Sequence, residues 1–224
     1  MTTHQEAIEH HPDELELGHQ FEDIEQQTEA YTVGMWVFLV TEIMFFGGLF
    51  AAYIVYRALY PEIWYAAHEK LDKVLGGVNT AVLLTSSFTM ALAVRSAMLN
   101  RWKAQVSYLL ATMAFAITFL VIKYFEYKEK FEHHLFPGPN FNFGDPGVPN
   151  DKAQMFFNLY FAMTGLHGAH VLIGVIVMIA LVIRTINMRN QRQDFIPVEL
   201  AGLYWHFVDI VWIFLFPLLY LIGR

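Results

Sequence analysis

The sequence predicts an all-α, polytopic membrane protein: a five transmembrane helix bundle with an acidic N-terminal extension. Three observations carry this. The 224-residue chain is 56% hydrophobic, with a mean hydropathy of +0.38, above what ordinary soluble domains show. Five apolar runs each reach the roughly 20 residues a helix needs to cross a hydrocarbon core of about 30 Å. The runs are continuous rather than alternating, which argues against spanning β-strands.

The extension, residues 1–31, holds nine carboxylates (Glu6, Glu9, Asp13, Glu14, Glu16, Glu22, Asp23, Glu25 and Glu29) and no Lys or Arg. The net charge of -7 therefore belongs to this arm, while residues 32–224 carry 14 basic and 12 acidic groups. Such a tail reads either as a solvated terminus or as a docking arm for a basic partner. It has neither the basic start nor the apolar core of a signal peptide. No basic face offers itself to nucleic acid. The absence of cysteine excludes disulfides, thiolate metal centres, c-type haem attachment and a cysteine nucleophile.

The first span is expected at 32–56. It carries Thr41-Glu42 in its middle and Gly47-Gly48, which suit close helix approach. A loop over 57–74 holds Pro61, Trp64 and His68. The second span, 75–99, is followed by a tight turn through Asn100 and Arg101. The third span, 104–126, reaches toward Lys130 and ends in Lys-Tyr-Phe-Glu-Tyr-Lys, where Glu126 reads as a snorkelling, solvated terminus. The longest loop, 127–153, is rich in Pro, Gly and Asn and reads as irregular. The fourth span, 154–183, contains His167 and His170. The fifth, 198–222, contains His206, Asp209 and Pro217, the last a residue that can bend a helix. Trp and Tyr gather at the span ends (Tyr31, Tyr56, Tyr60, Trp64, Trp102, Tyr124, Tyr204), as interfacial anchors do.

The 14 basic residues divide six against eight between the two sides, the eight being interleaved with acids in longer loops, so position and not number sets the orientation. Arg95, Arg101, Lys103, Arg184, Arg189 and Arg192 lie in short loops or beside helix ends, where the positive-inside rule acts. Those loops, and with them the N-terminus, are expected in the cytoplasm.

Ionisable side chains at bilayer depth cost about 2.5–3.5 kcal/mol on insertion scales, so they tend to be kept for a partner or a task. Glu42 reads either as a protonated carboxyl hydrogen-bonded to a neighbouring helix or as a proton-exchanging group. His167 and His170 are three residues apart and share one helix face, as do His206 and Asp209. Two such pairs could in principle hold iron or zinc, but clustered histidine boxes are lacking, and His4, His10, His11 and His19 share no spacing with them. Inter-helix hydrogen bonding is the better reading, because apolar contact gives little direction inside lipid. No phosphate loop, nucleophile elbow, HExxH or dinucleotide fingerprint is present. No catalytic, cofactor-binding or metal-ligating residue is therefore expected on this chain.

Five segments in this order resemble subunit III of the haem-copper oxidases, the cytochrome c oxidase type above all: EIMFFGGLFAAY (42–53), NTAVLLTSS (79–87), FEYKEKF (125–131), TGLHGAHVLIG (164–174) and ELAGLYWHFVDIVWIFLFPLLY (199–220). The similarity covers about 32–223. Many members have seven helices, so the chain resembles the five-helix bacterial form. The resemblance implies a cofactor-free, non-catalytic subunit beside subunit I in a complex that reduces oxygen and pumps protons, where it stabilises subunit I and supports proton uptake. Haem and copper are then expected on partner subunits, subunit II and further respiratory subunits or a supercomplex as neighbours, and phospholipid as a bound component. The membrane would be a bacterial inner membrane. Glu42 matches the family's buried, carbodiimide-reactive carboxylate, Glu126 its acid near the third span's end, and His167, His170, Glu199, His206 and Asp209 its polar seam. The electron donor, cytochrome c in preference to quinol, lies outside this chain. A quinol oxidase, a nitric oxide reductase accessory protein and, more distantly, a membrane di-metal enzyme are the alternatives.

Overall fold

The computed structural model describes residues 19–145, 147–189 and 194–221. The described residues form six helices: α1 (Ile24–Leu59), α2 (Pro61–His68), α3 (Lys73–Met98), α4 (Trp102–Glu132), α5 (Asn150–Asn187) and α6 (Ile196–Tyr220). All but α2 are long and apolar enough to cross a membrane. The protein is a multi-pass membrane protein.

The spans fall where hydropathy puts them, and their ends run further. α1 begins eight residues earlier than the apolar run because its cap lies in polar sequence. Asp23 accepts a hydrogen bond from the Gln26 amide at 2.7 Å, and Gln26 Oε1 accepts from the Glu22 amide. This arrangement is close to a capping box. Most of the 1–31 tail, residues 1–18, lies outside the described residues, and its last eight residues, 24–31, are helical. Asp72 likewise caps α3 by accepting from the amides of Val74 and Leu75. At about 1.5 Å per residue, the 36 residues of α1 and the 38 of α5 outrun the bilayer core, so both protrude or tilt.

The stretch expected as a loop over 57–74 contains α2. Pro61 at its first position is pre-set for a helix start, and Trp64, Ala67 and His68 face inward. Trp64 is fully buried against Tyr53, Tyr56 and Phe156. It is a core residue, not an interfacial anchor. Tyr204 is also buried, where its hydroxyl donates to the His170 carbonyl at 2.9 Å.

α3 and α4 form the most extensive helix pair, joined by the turn 99–101, with Asn100 in the left-handed region at φ 52. α6 packs on α3, α5 and α1, and is the most enclosed span: 56% of its most apolar window is buried, against 17% for α1. Close approach comes from Gly76, Gly174 and Gly202. A Cβ added to Gly174 would lie 2.6 Å from Trp205, one at Gly76 2.8 Å from Phe216, and one at Gly202 2.9 Å from Val94. Gly47 and Gly48, expected at a helix contact, face open space with nothing within 4 Å. They are exposed because no other part of the described chain packs over them.

Lipid supplies no hydrogen bonds, so each spanning helix must satisfy its own backbone. Ser and Thr side chains add bonds between spans. Trp205 Nε1 donates to Ser86 Oγ and Trp212 Nε1 to Thr80 Oγ1, both at 3.1 Å, and Gln105 Nε2 donates to Thr185 Oγ1 at 2.8 Å. The Tyr53 hydroxyl donates to the Leu218 carbonyl at 2.8 Å. It so satisfies one acceptor that the end of α6 would otherwise leave open.

Candidate functional site

The structure divides the polar groups into two clusters and several isolated side chains. In the first cluster, His170 on α5 meets Glu42 on α1, Nε2 to Oε2 at 3.1 Å. The other ring nitrogen, Nδ1, contacts the Leu166 carbonyl at 2.8 Å. A carbonyl only accepts, so Nδ1 carries its hydrogen. Nε2 then faces the carboxylate oxygen as the ring's remaining hydrogen-bonding atom. Phe46 packs edge-on against the ring at 5.3 Å. The side chains of Glu42 and His170 keep 20% and 15% exposure, so the pair opens toward the surface.

The second cluster is sealed. Lys123 Nζ donates to Glu126 Oε2 at 2.9 Å and to the Tyr220 hydroxyl at 2.7 Å. The hydroxyls of Tyr160 and Tyr220 both donate to Glu126 Oε1, at 2.9 and 2.5 Å. The ammonium also lies 5.0 Å from the Trp212 ring centroid, within cation–π range. Glu126 is fully buried. The sequence placed it at a solvated helix end, and the structure corrects this: α4 continues six residues beyond it, and α5 and α6 close over it. Lys123, the first residue of the Lys-Tyr-Phe-Glu-Tyr-Lys stretch, is not among the site residues the sequence singles out. Its signal was the Lys-Glu spacing of three inside one helix, which sets both side chains on one face.

The remaining predicted residues are not brought into either cluster. His167 is fully buried, and neither ring nitrogen hydrogen-bonds to a described residue. It packs between Phe119 and Trp212 at 5.4 and 5.1 Å. The shared face expected for His167 and His170 thus ends in two environments. His206 Nδ1 meets Ser87 Oγ at 2.6 Å across the α3–α6 contact. Asp209 is buried beside it, its oxygens without a hydrogen bond from described residues. Asn79 is buried in the same condition. Glu199 stands half-buried in the first turn of α6, where a carboxylate complements the helix dipole. Among the described residues no group of three or more His, Cys, Asp and Glu is placed to hold a metal ion.

Two apolar grooves flank α1. One, of about 560 Å³, lies against α5 and α6 and is lined by Met35, Phe38, Ile173, Val177 and Tyr204, with Arg184 among its walls. The other, of about 490 Å³, lies between α1 and α6 and includes Trp36, Gly47, Phe50 and His206.

Known proteins share this arrangement of sequence. The pattern of cytochrome c oxidase subunit III matches residues 17–224. A cytochrome c oxidase subunit 3 of Synechocystis sp. is 35% identical over 196 residues, covering 84% of this chain and 74% of that protein. A probable quinol oxidase subunit 3 of Staphylococcus saprophyticus is 29% identical over 211 residues, covering 92% of this chain and 98% of that one. A heme-copper oxidase subunit I+III of Aeropyrum pernix is 33% identical over 194 residues, which are 84% of this chain but 22% of that longer protein. With the match running from before α1 to the last residue, the chain belongs to the cytochrome c oxidase subunit III family.

Proposed function

We propose that this chain is a cofactor-free membrane subunit of a respiratory haem-copper oxidase, seated directly against subunit I, which it stabilises and whose proton uptake it supports. The observation that carries this is the fused I+III relative, in which one polypeptide joins the two parts. Haem and copper then reside on partner subunits, with subunit II and other respiratory subunits as further neighbours. The polar clusters serve as internal ties, since both link helices. The groove containing Arg184 suits phospholipid: a guanidinium at its rim matches a phosphate, and its apolar walls match acyl chains. The proposed setting is a bacterial inner membrane with the N-terminus in the cytoplasm.

Purification in mild detergent tests the proposal. The chain is expected to travel with a haem-bearing large subunit and with oxygen consumption. Isolation without haem protein would sink it. Cytochrome c is the proposed electron donor. The quinol reading has its own support in the Staphylococcus relatives, and assay with reduced cytochrome c against a quinol separates the two.

Glu42→Gln provides a narrower test. The glutamine amide can donate to His170 Nε2, so the helix contact survives and assembly is expected to change by less than about 1 kcal/mol. Carbodiimide labelling of the chain is expected to disappear, as measured by mass spectrometry. Undiminished labelling would remove Glu42 from its proposed role as the reactive carboxyl.

A further inference from the structure

We infer that the groove between α1 and α6 is the seat of a transmembrane helix of the haem-copper subunit, which places a hydrogen-bonding side chain against His206. This rests on the proposed association with subunit I and adds the face that makes it.

Depth and valence decide the occupant. His206 is the eleventh residue of α6, so at about 1.5 Å per residue it lies roughly 15 Å inside the helix, near mid-bilayer. Ser87 engages one ring nitrogen. No hydrogen bond from a described residue reaches the other, and the ring lines the groove. A polar atom left bare in hydrocarbon is costly. An acyl chain cannot satisfy it, and a phosphate or ester group sits about 15 Å away at the interface. A side chain on a second helix can, and such bonds are the usual directional glue between spans.

The shape agrees. From Trp36 to Phe50 on α1 and from Leu203 to Phe214 on α6, the walls extend for roughly 15–20 Å, three or more turns of a docked helix. Gly47 leaves the α1 wall low, with nothing within 4 Å of the site a Cβ would occupy. α1 itself is the least buried span, so an occupant here would clamp it to α6.

The test uses the whole complex in native membranes. A photoreactive benzoyl-phenylalanine at position 210, exposed on α6 beside the groove, is expected to cross-link to the haem-bearing subunit. The same probe at position 110, exposed on α4, is expected not to. Gly47→Trp fills the groove from an open position without disturbing this chain's own packing, and is expected to abolish co-purification of haem. Leu110→Trp is expected to retain it. Cross-linking from position 210 only to lipid or to a second copy, or an intact complex with Gly47→Trp, overturns the inference. If the wild-type chain carries no haem protein at all, the proposed function falls first, and the unmodified control reveals that separately.

Discussion

Lys123→Met is expected to destabilise the bundle by about 3–5 kcal/mol, the usual cost of stripping one partner from a buried ion pair. The lysine and glutamate side chains are 8% and 0% exposed, so water cannot replace the lost ammonium. Glu126 would keep the two tyrosine hydroxyls but lose its counter-charge. The double variant Lys123→Met with Glu126→Gln removes both charges while an amide oxygen still accepts from the tyrosines. It is expected to recover most of the loss, because a buried pair replaced as a unit is often near neutral. Thermal unfolding in mild detergent, followed by tryptophan fluorescence, reads both. A single variant as stable as wild type, or a double variant no better than the single, would show that the charges do not act as a pair.

The second large effect lies at the α5–α6 crossing. Gly174→Leu is expected to cost about 3 kcal/mol, at the upper end of overpacking penalties. Even the Cβ would lie 2.6 and 2.7 Å from two atoms of the Trp205 ring. That ring cannot swing aside freely, because its Nε1 is bonded to Ser86 and its side chain is buried. Gly48→Leu, which meets open space, is the matched control and is expected to leave the isolated chain's unfolding temperature unchanged. Equal effects at the two positions would refute the packing argument.

These two sites also mark how much the sequence reveals. The five spans were legible because each run is long and continuously apolar, a property of composition rather than of contact. Their ends were less so, since Asp23 and Asp72 cap from outside the apolar runs. α2 was hidden in a short amphipathic stretch, although Pro61 was a visible start signal. Glu42 and His170 were legible as costly residues, and the bond joining them across 128 positions was not. Glu126 was misplaced because the hydroxyls that bury it come from Tyr160 and Tyr220, and nothing near it in sequence reports them. The glycine pair in α1 misled for the same reason. Small size permits close approach, and only the tertiary fold shows that Gly174 uses it within this chain while Gly47 is left open.

The three-residue turn between α3 and α4 has a consequence for how the chain enters lipid. Closing so short a connection costs little entropy, which favours these two spans pairing early, as a hairpin. Lys123 and Glu126 share α4 one turn apart, so opposite charges already neighbour each other in the nascent helix. They are expected to enter lipid as a dipole instead of two separate ions, before either tyrosine has arrived. Shifting the lysine to position 124 would part them to opposite sides of the helix, about 200° apart, and a glycosylation-mapped insertion assay is expected to register poorer membrane integration of that segment. Equal integration would mean the charges cross independently.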